Sequence, residues 1–146
     1  MKPFTLLLTI AVCAMTAATF ASTARAQEAH AYLVFGTNEG EGSSPELRDF
    51  EPSLKQLFGY KFYQLVATDK GALVGQAPTS LRLSRGMTMQ VVSVAVERNV
   101  RTLDVTVTKG QTTLMTSRMR MAGGAPLYIR AQERADGLML IILVVR

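Results

Sequence analysis

From residue 60 to the end of the chain, apolar and polar side chains alternate in short runs broken by glycine, proline or aspartate. A period of two sends alternate side chains to opposite faces of a strand, so the pattern predicts a strand series. Residues 60–68 form the first run, and residues 71–75 form a short edge or loop. Leu81 and Leu83 alternate in the next. In 87–97, Met87, Met89 and Val91 share a face before the phase passes to Val92, Val94 and Val96, which predicts a β-bulge near Val91 and Val92. In 100–108, Leu103, Val105 and Val107 point in, while Thr102, Asp104, Thr106 and Thr108 point out. A three-residue loop around Gly110 sets Val105 opposite Met115. It keeps Met119 and Met121 on the Leu103 face and leaves Asp104 diagonal to Arg118. Residues 127–131 and the C-terminal run make a last hairpin around Asp136 and Gly137.

That last run, 138–145, is eight consecutive apolar residues. A spanning helix needs about 20, and a lone strand cannot cross a bilayer with its backbone groups unpaired. Leucine, isoleucine and valine without alternation predict a central strand buried on both faces. Burying eight such side chains contributes on the order of 12–24 kcal/mol before chain entropy.

Upstream the period changes. Residues 31–35 are a short strand candidate, and 36–44 ("GTNEGEGSS") are a loop by composition. Leu47, Phe50, Leu54, Leu57 and Phe58 then follow a helical stripe. Ser44 is positioned to cap it and Pro45 suits the first helical position. Pro52 disfavours a continuous helix, so the expectation is a turn over 45–50, a regular piece from Pro52 to Phe58, and an end at Gly59.

The first 26 residues read differently. Lys2 precedes an uncharged stretch from Phe4 to Phe20, and Ala24-Arg25-Ala26 has the small residues of a cleavage site, so 1–26 are expected to be a secretory signal peptide. No membrane span is expected after cleavage. Residues 27–44, an N-terminal strand and an acidic glycine-containing loop, join 45–146 in a single domain. The expected fold class is α+β, mainly β: an antiparallel two-layer sandwich with one short N-terminal helix. About 120 residues are enough for one core.

Charge and composition narrow the chemistry. The single cysteine, Cys13, falls in the signal, which leaves no disulfide or thiolate site in the exported chain. Residues 27–81 carry 4 basic and 7 acidic side chains, a net −3, and 82–146 carry 10 and 4, a net +6. A basic face built from Arg98, Arg101, Arg118, Arg120 and Arg130 is the basis for an alternative role, binding an anionic envelope polymer. Nucleic acid is not expected, because no aromatics are interleaved among those arginines to stack bases. His30 is the only histidine and lies near the mature N-terminus, expected to be mobile, so no triad is foreseen and no enzyme is predicted. The acids Glu39, Glu41, Glu46, Asp49 and Glu51 cluster on a loop and helix start, where solubility and the helix dipole account for them. Met87-x-Met89 and Met119-x-Met121 place thioethers in pairs, the set a Cu(I) site would use, although methionine is more often a core filler. No cofactor is expected. A threonine-rich outer face suits a solvated strand surface. Aromatics are too few and too early in the chain for the girdles of a small outer-membrane barrel.

Residues 54–65, "LKQLFGYKFYQL", resemble a group of small exported bacterial proteins of no established function. The resemblance rests on Leu57, Phe58, Tyr60 and Tyr63 in a Leu-Phe-x-Tyr-x-x-Tyr helix end, then on Gly123, Gly124 and the Gly137-led apolar strand. It implies an α+β envelope domain and brings no catalytic residue. Leu57 and Phe58 are expected to pin the helix to the sheet, with the tyrosine rings buried and their hydroxyls partnered. The function expected is therefore a periplasmic or secreted, non-enzymatic protein–protein interaction or assembly role with an envelope protein. The exposed edge at Ala72, Leu73, Val74 and Gly75 is the expected contact, or else the loop 36–44.

Overall fold

The computed structural model describes residues 27–146, so the expected signal peptide, its cleavage site and Cys13 lie outside the described residues. The elements are β1 (Gln27–Thr37), a 3-10 turn (Pro45–Leu47), α1 (Glu51–Phe58), β2 (Phe62–Leu73), β3 (Thr79–Arg82), β4 (Met87–Glu97), β5 (Val100–Lys109), β6 (Thr112–Ala122), β7 (Leu127–Arg134) and β8 (Gly137–Val145). They form two four-stranded antiparallel sheets, β2-β1-β8-β7 and β3-β4-β5-β6. Apart from the pairing of β1 with β8, hydrogen-bonded neighbours are neighbours in sequence. The order is that of an up-and-down barrel pressed flat, with the β2/β3 and β6/β7 seams left without strand pairing. The outward positions of the second sheet include Thr88, Gln90, Thr102, Asp104, Thr106, Arg118 and Arg120, with Val92 opposite Asp104. That polar wall is the reverse of the apolar band a lipid-facing barrel carries. No helix among the described residues is long and apolar enough to cross a membrane.

β8 is buried along its whole length, between β1 and β7. Met139, Ile141, Leu143 and Val145 enter the core between the sheets with Leu33, Met89, Leu103 and Val105. Leu138, Leu140, Ile142 and Val144 face the other way, into a second cluster with Leu47, Leu54 and Tyr63 under the helix. One strand thus serves two cores, which is why it shows no alternation. Gly137 opens it because the backbone is too close for any side chain: an added Cβ would stand 2.1 Å from the Gly36 carbonyl oxygen.

α1 matches the expected broken helix, ending at Gly59 with φ +78°. Two local expectations fail. Ser44 stands at the N-cap of the 3-10 turn, but its side chain makes no capping bond; its Oγ accepts the Leu65 amide at 2.8 Å and donates to Gln64 at 3.2 Å, tying the loop to the edge of β2. Leu57 is 58% exposed, so the helix is held by Leu54, Phe50 and Phe58 instead.

The strands depart from expectation at their irregularities. β1 begins at Gln27, and His30 sits within it, opposite Lys70 and Val144, rather than on a mobile end. Residues 60–68 and 71–75 are not separate: β2 runs unbroken through Asp69 and Lys70. The β4 bulge falls at Val94, because Ser93 keeps the inward phase and is buried. The β5–β6 hairpin turns on Gly110 and Gln111, and Leu114 is an extra residue. Their combination preserves the faces expected for Met119 and Met121, but Val105 lies opposite Ser117 and Asp104 directly opposite Arg118. At the last hairpin Ala135 and Asp136 form the turn and Gly137 already belongs to β8.

Candidate functional site

β3 is four residues long and pairs only with residues 88–91 of the eleven-residue β4. Beyond Val91, the edge of β4 has no strand partner among the described residues. The chain instead turns away through residues 74–78, and a groove of about 610 Å³ opens between the end of β2 and the end of β4. Its walls are Leu73, Val74, Gly75 and Gln76 on one side and Ser93, Val94, Ala95 and Val96 on the other, with Gln27 and Arg101 at the base. Val74 is 65% and Val96 56% exposed, two of the large apolar side chains left open on the surface. Clefts of roughly 300–1,000 Å³ are the usual size for a small-molecule site.

The polar groups of the groove are placed by the bulge. Ser93 is 5% exposed, and its hydroxyl accepts from Arg101 Nη1 at 2.7 Å. The same guanidinium donates through Nη2 to Gln27 Oε1. Arg101 sits opposite Val96 and Met121, in the inward phase of β5, so it closes the open end of the sandwich rather than standing on an outer face. Gln76 reaches across and donates to the Val94 carbonyl at 3.3 Å.

The expected interaction edge therefore lies on this groove: Leu73, Val74 and Gly75 line it, and Ala72 is at its shoulder. The edge of β2 itself is occupied. Thr79 Oγ1 donates to the Ala72 carbonyl at 2.8 Å, the Arg82 amide donates to Asp69 at 2.7 Å, and Ser43 and Ser44 accept the amides of Tyr63 and Leu65. Such side-chain bonds blunt an edge against a further strand.

The arginines do not make one face. Arg98 holds the β4–β5 turn with φ +55°, and with Arg120, Glu97 and Val100 it surrounds a second hollow of about 430 Å³. Arg118 is engaged with Asp104 by two bonds, at 2.7 and 2.9 Å, which hold the Asp104 carboxyl below the usual range. Arg130 belongs to the other sheet and stands 5.7 Å from the centre of the Phe58 ring. The methionine pairs are not brought together either. Met87, Met89 and Met121 are buried and Met119 packs against the same core. Met89 shares a row with Val107 and Met119 with Leu103, rows about 13 Å apart along β5, on strands about 9.5 Å apart.

Among the described residues no three or more His, Cys, Asp or Glu side chains converge as a metal set. His30 lies 3.9 Å from Glu28. Glu51 is paired with Lys55 at 2.7 Å, which lowers its pKa. Comparison with protein families, curated proteins and solved structures finds no match to this chain. The groove was not legible in the sequence. Its signal is the length mismatch between β3 and β4, and that shows only after pairing.

Proposed function

We propose that the chain is an exported, non-enzymatic domain of the bacterial envelope, periplasmic or secreted, whose role is to hold a protein partner at the open end of its sandwich. The observation that carries this reading is the pair of exposed valines, Val74 and Val96, facing one groove. Exposed apolar side chains gathered at one place on the surface mark a contact site. The leader-like first 26 residues and the resemblance around Leu57, Phe58, Tyr60 and Tyr63 support export. Two measurements test it. The intact mass of the protein from the producing cell should equal residues 27–146. A photo-crosslinking residue at Val74 should give a discrete adduct in intact cells, and the same residue at the solvent-facing Thr106 should not. Full-length mass in the cytoplasm, or equal diffuse labelling from both positions, would discard the reading.

A further inference from the structure

We infer that the unpaired edge of β4, residues 92–97, is a strand-acceptor site for an extended acidic segment of another polypeptide, laid antiparallel to β4 in the line that β3 leaves. This rests on the partner-holding role proposed above and names the partner's chemistry. A strand edge exposes backbone donors and acceptors at the strand repeat, and a peptide completes them by adding a strand. Here the line of β3 ends at Thr79, opposite Val91, and the groove continues that line past Val94 to Val96. In it the Val94 carbonyl, at the bulge, accepts a long 3.3 Å bond from the exposed Gln76 side chain, which an incoming amide can displace. On the other outer strand edge beside the groove, that of β2, the Ala72 carbonyl is already met by the Thr79 hydroxyl.

Charge selects the segment. Arg98, Arg101 and Arg120 gather at this end of the sandwich, where Glu97 is the one carboxylate among the residues lining the two hollows, so the local balance is positive. An acidic group at the end of the segment near Glu97 would meet Arg98 and Arg101. An apolar side chain two residues or so further along would fall between Val74 and Val96, because alternate residues of an added strand face the same way.

The test uses the exported protein and a fluorescein-labelled, end-capped hexapeptide with two N-terminal aspartates followed by alternating valine and threonine, beside a twin with lysines for aspartates. The acidic peptide should bind about tenfold or more tightly than its twin. Amide shifts on binding should centre on residues 73–76 and 92–97. Val96→Asp and Val74→Asp should each weaken binding about tenfold with the urea midpoint unchanged; Val96→Ile, which keeps the apolar wall, should bind like the parent. Equal binding of the twins, shifts centred elsewhere, or no binding at about 1 mM overturns the inference. So does self-association abolished by Val96→Asp, since the occupant is then a second copy of this chain. A discrete cross-link at Val74 without peptide binding removes the strand-acceptor site and leaves the partner-holding role. Peptide binding by a chain that is never exported does the opposite.

Discussion

The Tyr63 hydroxyl donates to the Leu54 carbonyl at 2.7 Å and accepts from the Tyr60 amide at 3.2 Å, with the ring fully buried between helix and sheet. It satisfies a carbonyl inside α1 and a donor just past its end. Tyr63→Phe leaves both without that partner, and urea denaturation should show a loss of about 1–3 kcal/mol. Burial pushes the Tyr63 pKa above its ordinary 10.0. Folding therefore favours the protonated phenol. That contribution is complete below about pH 10 and is lost as pH rises toward the folded value. The urea midpoint should fall as pH rises above about 10 in the parent, and fall less in Tyr63→Phe. Asp104 has the opposite sign. Its bond with Arg118 lowers the carboxyl pKa from 3.8, so the pair's contribution is present above that value and fades as pH drops through the folded one. In Arg118→Gln the Asp104 carboxyl should titrate at higher pH by NMR. An unmoved midpoint would show that the guanidinium is not what holds it.

At the scale of elements, β8 is the sharpest case. Ile141 points to one core and Ile142 to the other, and both are fully buried. Ile141→Ala and Ile142→Ala should each cost about 2–5 kcal/mol. A strand with one solvent face would show one large value and one near zero. This strand was legible because double burial removes alternation from the sequence itself. The end of α1 at Gly59 was legible for a similar reason: the backbone demands a residue type that appears in the text. The irregularities were not. Val94 looks like an inward residue and Ser93 like an outward one. The fold reverses them because Arg101, eight residues away, satisfies the Ser93 hydroxyl and so permits its burial. Asp69 and Lys70 read as a break in the pattern, yet β2 runs through them, because an edge strand tolerates charge and Asp69 receives the Arg82 amide. Of the candidate site, the stretch at Leu73 to Gly75 was found from its apolar, turn-flanked composition. Its opposite wall was missed, since it depends on where β3 stops.

Across the whole molecule, β8 is the strand that closes the fold. β8 pairs with β1 on one side and β7 on the other, and the two ends of the described chain are joined by Glu28 and Arg146, whose amides and carbonyls bond at 2.8 and 3.0 Å. Without β8, β1 and β7 cannot belong to one sheet, and neither core has its floor. β3 to β6 form a meander of local hairpins, but their inward face, with Met89, Leu103 and Val105, stays wet without the opposite sheet. Deleting residues 138–145 should therefore abolish the cooperative urea transition altogether rather than lower its midpoint, because the missing strand is the shared wall of two clusters. In the intact protein, the amides of β1 and β8 should be the slowest to exchange, opening only with global unfolding, and those of β3 and the outer end of β4 among the fastest. A truncated chain that still unfolds cooperatively, or a β3 edge as protected as β8, would mean that the second sheet is stable alone. The groove beside β4 would then be a fixture of that sheet, independent of the strand that completes the molecule.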